Sequence, residues 1–261
     1  MAFASFGIVG LLANAMAFPL IVLSSSSREV RTRRARAYIG FSFRGFIKFM
    51  ARLRVVEFRI EPEVREKLAA AKGHMIVANH PSLIDAIFLL GYADQANCVV
   101  KSSLWRNPFL CLGVRAAGYI PNRTSERLFS DCEAALRSGQ TLIIFPEATR
   151  TVAGQPLRLQ RGAANIALRA DAHLRVVHFE CEPPILSKQA RWYHVPPDQP
   201  CYSMKVGVSL RARDFSRHGE HYGVAARRLT DAIRDELAKD VFSDERPRTG
   251  TQATLDRGAQ S

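Results

Sequence analysis

Residues 75–85 read Met75-Ile76-Val77-Ala78-Asn79-His80-Pro81-Ser82-Leu83-Ile84-Asp85, an apolar run with strand character that gives way to a helical segment at Pro81 and Ser82. Similar apolar runs alternate with helical segments along the rest of the chain. The strand candidates are His74–Ala78, Asn97–Lys101, Thr141–Phe145, Leu174–Phe179 and Ser203–Leu210. The helix candidates are Ser82–Leu90, Leu104–Arg115, Ser125–Arg137, Gln160–Ala170 and Tyr222–Val241. This alternation predicts an α/β domain, with a mixed, mostly parallel sheet flanked by helices.

His80 and Asp85 are a candidate base and its orienting carboxylate. A histidine at a strand-to-helix junction is held firmly yet can face a cleft, and imidazole chemistry suits a general base near neutral pH. Asp85 can accept the other ring N–H and stabilise the imidazolium, as in the His-Asp half of a serine triad. The substrate's own hydroxyl would take the place of the serine. A structural alternative stays open, since Ser82-x-x-Asp85 also reads as a helix capping box.

Charged residues follow several of the other predicted strands. Phe145-Pro146-Glu147-Ala148-Thr149-Arg150 follows one apolar run, Arg123 follows Gly118-Tyr119-Ile120-Pro121-Asn122, and Lys101 ends another strand. Ligands of α/β sheets bind at the carboxyl ends of the strands, and a guanidinium can grip a phosphate there. Each cation alone is more often a solvated surface charge. Three at the ends of separate strands favour a shared pocket for an anion.

The three blocks Asn79-His80-x4-Asp85, Gly118-x-Ile120-x-x-Arg123 and Phe145-Pro146-Glu147-Ala148-Thr149-Arg150 occur in that order. The chain thereby resembles the glycerolipid acyltransferase superfamily, and within it the lysophosphatidic acid (1-acylglycerol-3-phosphate) acyltransferases. The resemblance covers roughly residues 70–185 and includes Lys101 and the helix start Arg161-Gly162-Ala163-Ala164.

The resemblance implies O-acyl transfer from acyl-CoA or acyl carrier protein to the hydroxyl of a lysophospholipid, without a covalent enzyme intermediate, cofactor or metal. His80 would be the general base and Asp85 its partner. Backbone N–H groups after Pro81 would stabilise the oxyanion. The residues implied in acceptor binding are Lys101, Arg123, Glu147, Thr149 and Arg150, with Glu147 assigned to a glycerol hydroxyl or to orienting the arginines.

Two positions depart from the family pattern. The third block usually has glycine where Ala148 stands. If that position needs a positive φ, alanine strains the loop by about 1 kcal/mol or more, whereas a need for only a small side chain leaves alanine harmless. The fourth block, associated with acyl or acceptor binding, commonly carries a proline where Val176-Val177-His178-Phe179 has His178. The reaction class is unaffected, but another acceptor remains an alternative, such as a lyso-ornithine lipid or a polyene or aryl lipid head group.

The N-terminal region predicts membrane association. Residues 3–23 carry no charge and as a helix would measure about 31 Å, close to the hydrocarbon core of a bilayer. We expect this segment to span or embed in the membrane, although Pro19 also fits a buried or re-entrant hairpin. Residues 38–58 place Arg44, Lys48 and Arg52 on one helical face, which suits the headgroup boundary or an ordinary amphipathic core helix.

The predicted organisation is a membrane anchor and interfacial helix at 1–60, an acyltransferase domain at 61–242 and a disordered tail at 243–261. The arginines of residues 28–36 follow the apolar run, so we expect the domain at the cytoplasmic side of the inner membrane.

Composition fits this prediction. The net charge of +13 indicates an anionic partner such as an acidic membrane surface or a phosphorylated substrate. A nucleic-acid-binding protein is disfavoured, because much of the charge flanks the apolar N-terminus and no recognition motif occurs. The five cysteines form no CxxC and predict free thiols. An inactive lipid-binding homologue is a further alternative.

Overall fold

A seven-stranded sheet forms the centre of the computed structural model, which describes residues 2–60, 62–123, 125–151, 155–187 and 196–242. The strands are β1 (Glu57–Ile60), β2 (Met75–Ala78), β3 (Asn97–Lys101), β4 (Ile120–Asn122), β5 (Leu142–Ile144), β6 (His173–Glu182) and β7 (Cys201–Arg211). The helices are α1 (Ala2–Leu23), α2 (Arg28–Arg52), α3 (Pro62–Ala69), α4 (Ile84–Tyr92), α5 (Cys111–Ala116), α6 (Ser125–Arg137), α7 (Gly162–Arg169) and α8 (Tyr222–Leu237).

The strand order is β1-β7-β6-β2-β5-β3-β4, and the sheet is mixed. Strands β6, β2, β5, β3 and β4 run parallel to one another, whereas β7 pairs antiparallel with β6 and β1 runs parallel to β7. The carboxyl ends of five strands therefore meet at one edge, and β7 begins at that same edge. The predicted α/β fold with a mixed, mostly parallel sheet is confirmed.

The helices lie in two layers because the side chains of each strand alternate between the faces of the sheet. Ile76 and Ala78 of β2 point into a core shared with α2, α4 and α5. Met75 and Val77 point into the opposite core, shared with α6, α7 and α8. The five cysteines are free thiols, as predicted.

Helix α2 is part of the domain core and not only a surface element. Phe46, Ile47 and Met50 are buried in the core, and Arg44 donates a 2.6 Å hydrogen bond to the carbonyl of Gly91 in α4. The predicted cationic stripe is therefore interrupted, since Arg44 is half-buried while Lys48 and Arg52 are exposed. The amphipathic core helix describes this segment better than a helix lying free at the headgroup boundary.

Arg36 joins α2 to the far side of this layer. Its guanidinium donates to the carbonyl of Ala117 (2.8 Å), the carbonyl of Gln95 (2.9 Å) and the side-chain oxygen of Gln140 (3.0 Å), and the residue is 8% exposed. Burial lowers the pKa of this guanidinium. One member of the basic cluster that we expected to mark the cytoplasmic side thus has a structural role.

Helix α1 continues into the fold at its C-terminal half. Phe18 is buried, meets Tyr38 of α2 edge-on at 5.3 Å, and lies so close to Gly113 that a Cβ there would come within 2.7 Å of its ring. Within the part of the chain that the structure describes, no helix has the length and apolarity to cross a membrane. The prediction of a spanning helix at residues 3–23 is therefore not supported, and packing of the segment around Phe18 against the domain gives the physical reason.

Several predicted boundaries change. The single helix expected at Leu104–Arg115 is two pieces, a 3-10 turn at Ser102–Trp105 and then α5, because Asn107 and Pro108 form a turn between them. Strand β1 and helix α3 were not predicted, and β4 lies in the short apolar stretch before Arg123, which was treated as a strand end but given no strand bounds. The tail at 243–261, predicted to be disordered, lies outside the described residues.

Candidate active site

The predicted site residues follow strands whose carboxyl ends share one edge of the sheet. His80 comes after β2, and the segment 145–150 follows the neighbouring strand β5. Lys101 ends β3 and Arg123 follows β4, which lie two and three strands from β2. At about 4.8 Å per strand these offsets are about 10 and 14 Å, so both cations would need most of their side-chain length to approach His80.

His80 and Asp85 form the predicted pair. His80 Nδ1 lies 2.9 Å from Asp85 Oδ2, and the imidazole stacks on the ring of Phe145 with 4.2 Å between centroids. The Asp85 side chain is fully buried, whereas the His80 side chain is 15% exposed. A ring with Nδ1–H donated to a carboxylate presents the Nε2 lone pair, which is the arrangement a general base requires.

Asp85 also participates in the helix start. Its Oδ2 accepts the N–H of Ser82 at 2.8 Å, which is the reciprocal half of the capping box. The Ser82 hydroxyl donates to the carbonyl of Ile185 at 2.9 Å and accepts the N–H of Ile84 at 3.4 Å, so its partner in the helix start is Ile84 and not the Asp85 N–H of a complete capping box. The structural and catalytic interpretations of Asp85 are therefore compatible. The Ser82 N–H is committed to Asp85 and is therefore not one of the N–H groups after Pro81 that we expect to stabilise the oxyanion.

A second oxygen of Asp85 has a partner that we did not predict. The hydroxyl of Tyr202, at the start of β7, donates to Asp85 Oδ1 at 2.8 Å. Burial raises the pKa of Asp85, and the His80 hydrogen bond and charge, the Ser82 N–H and the Tyr202 hydroxyl lower it. Burial is the larger influence, so the pKa of Asp85 lies above its ordinary value, and these donors supply the stabilisation of the carboxylate that water gives at an exposed site.

The first and third sequence blocks are joined through the backbone of His80. Its N–H is shared between Glu147 Oε1 (3.2 Å) and Thr151 Oγ1 (3.1 Å), and its carbonyl accepts the N–H of Thr151 at 2.8 Å. Thr151 also donates its hydroxyl to Glu147 at 2.6 Å. Glu147 is 8% exposed, and burial raises the pKa of its carboxyl group. Glu147 Oε1 therefore clamps the backbone of His80, a contact that was not predicted, and the role of Glu147 toward an acceptor hydroxyl or the arginines stays a prediction.

Two further contacts fix the strand ends around His80. Asn79 makes a two-way amide pairing with Phe179 of β6, donating at 2.8 Å and accepting at 2.7 Å. Arg150 is half-buried and donates Nη1 to the carbonyls of Leu186 (2.6 Å) and Ser187 (2.9 Å). Nη1 of Arg150, the predicted phosphate ligand, therefore holds the segment after β6. These contacts do not involve the other N–H groups of the guanidinium.

Two arginines, one of them the predicted Arg123, lie beside the ring of Trp105. The guanidinium of Arg123 is 5.7 Å from the Trp105 ring centroid and that of Arg115 is 5.8 Å from it, so α5 brings a second arginine that the motifs did not indicate. Arg115 also donates to the Trp105 carbonyl at 3.1 Å. Lys101, Arg123 and Thr149 are exposed at this edge.

Ala148 occupies the position where the glycine was expected, and its φ is +56°. The segment turns sharply here, with the Ala148 N–H bonded to the carbonyl of Phe145 at 3.1 Å. An L-residue in the left-handed region bears a steric cost that glycine avoids. Of the two expectations, the structure shows the one in which this position needs a positive φ and alanine strains the loop.

We expect Ala148→Gly to raise the free energy of unfolding by about 0.5–1 kcal/mol, because relief of the left-handed strain exceeds the added flexibility of the unfolded chain. Urea unfolding of the two proteins measures this. The matched control is Ala134→Gly on the exposed face of α6, where glycine should lower stability by about 1 kcal/mol. Equal losses at both positions would contradict the argument.

His178, the second departure, lies on the opposite side of the sheet from the site. Its neighbour Phe179 packs against Tyr202 on the Asp85 side, so His178 points to the other face. It is buried there, with Nε2 4.0 Å from Glu236 of α8, and desolvation lowers its pKa. A Cβ on Gly207 would come within 2.6 Å of the ring. The His178 side chain therefore does not face the His80–Asp85 pair, and the role of the fourth block in acyl or acceptor binding stays a prediction.

Sequence reasoning missed Tyr202, Thr151 and Phe145 as parts of the site. Phe145 is the first residue of the third block and Thr151 directly follows that block, so proximity in the chain was an available signal. Tyr202 lies 117 residues from Asp85, in a strand without motif character. A pairing of that separation becomes visible only when β7 is placed in the sheet.

Comparison with known proteins gives three findings. The family model described as Acyltransferase matches residues 59–180, just under half of the chain. The resemblance predicted from the three sequence blocks is confirmed.

Two curated relatives are both named 1-acyl-sn-glycerol-3-phosphate acyltransferase. The protein from Helicobacter pylori J99 is 33% identical over 100 residues, covering 36% of this chain and 42% of the relative. That from Pseudomonas aeruginosa PAO1 is 28% identical over 167 residues, covering 61% of this chain and 64% of the relative. The aligned region thus spans less than two thirds of either relative.

A solved structure shares the fold. The 1-acyl-sn-glycerophosphate (LPA) acyltransferase PlsC from Thermotoga maritima superposes with a TM-score of 0.66, covering 91% of this chain and 95% of that chain at 18% identity. At this identity the likeness concerns the fold alone.

Proposed function

We propose that this protein is an O-acyltransferase that moves a fatty acyl group from an acyl thioester to the hydroxyl of a lysophospholipid, with 1-acylglycerol-3-phosphate as acceptor and phosphatidic acid as product. The observation that carries the proposal is the His80–Asp85 pair at the strand-end edge of an acyltransferase domain. The names of the relatives support the acceptor.

In the proposed reaction His80 Nε2 takes the proton of the acceptor hydroxyl as its oxygen attacks the thioester carbonyl. Asp85 stabilises the imidazolium that results. When the tetrahedral intermediate collapses, the carbon–sulfur bond breaks and the imidazolium returns its proton to the departing thiolate. The product ester and a free thiol are released, and no group on the protein is acylated.

The acceptor's phosphate needs cations at the same edge. Arg150 follows β5, the strand next to β2, and His80 follows β2. Thr151 and Glu147, which are close to Arg150 in the chain, accept the backbone N–H of His80 with their side chains. Lys101 and Arg123 are exposed farther along the edge. We assign the phosphate to Arg150 with Arg123, and Lys101 to the outer part of the head group. Such positioning of the hydroxyl can lower the barrier by several kcal/mol, within the roughly 7–11 kcal/mol that orientation provides at best.

A lipid acceptor requires contact with a membrane surface, and this chain exposes apolar side chains on α1, on α2 and in the turn before α5. Met16, Leu20 and Leu23 are 71%, 63% and 83% exposed, Phe41 is 69% exposed and Phe109 is 63% exposed. We propose that these side chains enter the headgroup boundary, helped by the net charge of +13. Location at the cytoplasmic face of the inner membrane stays a prediction.

The proposal is tested by offering the purified protein, in phospholipid vesicles, a labelled acyl-CoA or acyl carrier protein together with lysophosphatidic acid. Labelled phosphatidic acid is the expected product. Transfer only to another lyso-lipid would replace the acceptor with the alternative of a specialised head group. Binding of lyso-lipid without transfer to any acceptor would favour an inactive homologue.

Arg150→Ala should raise the KM for the acceptor by about tenfold or more while changing kcat less, because a phosphate contact made in both ground and transition states affects binding. Arg127→Ala, an exposed arginine on α6, is the control and should match wild type. Steady-state kinetics at varied acceptor concentration decide the question. A fall in kcat at unchanged KM would limit Arg150 to holding the Leu186 and Ser187 carbonyls.

A further inference from the structure

The buried hydroxyl of Tyr202 has a contact that the motif-based account of the site leaves out. Tyr202 is 0% exposed, and its ring packs against Phe58, Phe88 and Phe179 with centroid distances of 5.6, 5.9 and 5.6 Å. An aromatic cluster of this kind needs no hydroxyl for its packing. A buried tyrosine hydroxyl instead needs a hydrogen-bond partner, and here the partner is Asp85 Oδ1.

The two oxygens of Asp85 are used differently. Oδ2 receives both His80 Nδ1 and the Ser82 N–H, at 2.9 and 2.8 Å. Oδ1 receives the Tyr202 hydroxyl, the one recorded donor to that atom among the described residues. Loss of the hydroxyl would leave Oδ1 facing aromatic rings, where an unpaired charged oxygen is unfavourable.

We propose that Tyr202 is a positioning residue for acyl transfer: its hydroxyl orients the Asp85 carboxylate and keeps it ionised, so that His80 presents a free Nε2 to the acceptor. This inference rests on the proposed function. Tyr202 does not touch the reacting atoms and acts through Asp85. It lies outside the residues matched by the family model, which end at 180.

The sign of the pH effect follows from the surroundings of Asp85. The groups that face it are His80 and, through space, Glu147 and Cys181. The Cys181 thiol has its pKa raised to about 12 by burial and stays neutral near neutral pH. Because Tyr202 is one of the donors that lower the pKa of Asp85, its removal makes the His80–Asp85 pair hold a proton to higher pH.

The test uses Tyr202→Phe in the full-length protein, which keeps the ring and its packing. We expect kcat to fall about tenfold at neutral pH with little change in KM, and the acidic limb of the pH–rate profile to move up by about one pH unit. The control is Tyr92→Phe, which removes a hydroxyl from a ring stacked on Phe88 in the same cluster and should leave both unchanged. A profile of Tyr202→Phe that matches wild type would overturn the proposal, as would a lower rate with an unmoved acidic limb.

The second measurement is the free energy of unfolding at two pH values, which does not depend on activity. The pKa of Asp85 in the unfolded chain is the same in wild type and in Tyr202→Phe. In the folded protein burial already raises this pKa, and we expect loss of the Tyr202 hydroxyl to raise it further. Stability is lost as pH rises between the unfolded and folded pKa values, so the deficit of the variant should be larger at about pH 8 than at about pH 5. In an Asp85→Asn background this pH dependence should vanish, since the titrating group is gone.

These two readouts separate the two proposals. If wild type transfers no acyl group to any acceptor while the pH-dependent deficit is present and depends on Asp85, the proposed function fails and the ionising role of Tyr202 stands. If wild type is active and the unfolding deficit is the same at both pH values, the Tyr202 proposal fails alone.

Discussion

His80→Ala should reduce acyl transfer by about three orders of magnitude, because the variant lacks the general base and leaves the acceptor hydroxyl protonated during attack. The loss should appear in kcat, since His80 contacts the hydroxyl proton and not the phosphate. Initial-rate measurements with saturating donor and acceptor give this value directly. The protein should remain folded, because the imidazole contributes one hydrogen bond and one ring stack to a large core.

A second variant separates lost chemistry from a disturbed site. Asn placed at His80 can set its side-chain N–H where Nδ1 lies and so keep a donor to Asp85, yet it has no basic nitrogen. His80→Asn should therefore be as inactive as His80→Ala while unfolding closer to wild type. His218→Ala, at an exposed histidine, is the control and should be fully active. Substantial activity in His80→Asn would exclude proton transfer by this residue.

Arg36→Met should lower the free energy of unfolding by about 2–4 kcal/mol. Methionine fills part of the space, but the oxygens of Ala117, Gln95 and Gln140 lose a charged donor in a buried setting. Urea or thermal unfolding monitored by circular dichroism measures the change. Arg33→Met, an exposed arginine three residues earlier on α2, should alter stability by no more than about 0.5 kcal/mol.

This comparison also tests whether α2 is integral to the domain. If the helix were only a membrane attachment, both substitutions would leave the unfolding of the domain unchanged and affect vesicle binding alone. A loss confined to Arg36→Met means that the helix and the sheet unfold together. The boundary placed at residue 60 from the sequence would then separate parts of one cooperative unit.

The central strands and helices could be predicted because their patterns are local. The run 75–78 is fully buried, and residues 97–101 and 125–137 begin and end where the sequence indicates, the latter before Gly139 with φ +77°. Strand β1 escaped prediction because its four residues alternate between exposed and half-buried positions. It is a strand only because β7 offers it a partner.

In the site, as in the sheet, local relations could be predicted from the sequence and long-range contacts could not. His80 and Asp85 are five residues apart, and one hydrogen bond joins them, so their relation was readable along the chain. The roles of Glu147 and Arg150 were not, because charge type alone does not say whether a side chain faces a ligand or the backbone of a neighbouring loop. Glu147 contacts the His80 N–H across 67 residues, and Arg150 contacts residues 36 and 37 positions away.

The reversed direction of β7 has a consequence for how the protein is made. Since β7 starts at the edge where the parallel strands end, Tyr202 reaches Asp85 only after β7 has left the ribosome, long after β2 and α4. A nascent chain that has released β2, α4 and β5 can assemble the sheet centre and bring His80 beside Asp85, yet that carboxylate still lacks its last donor. Long-range pairings of this kind are slow to form. Synthesis would therefore deliver a recognisable fold before it delivers a competent catalyst.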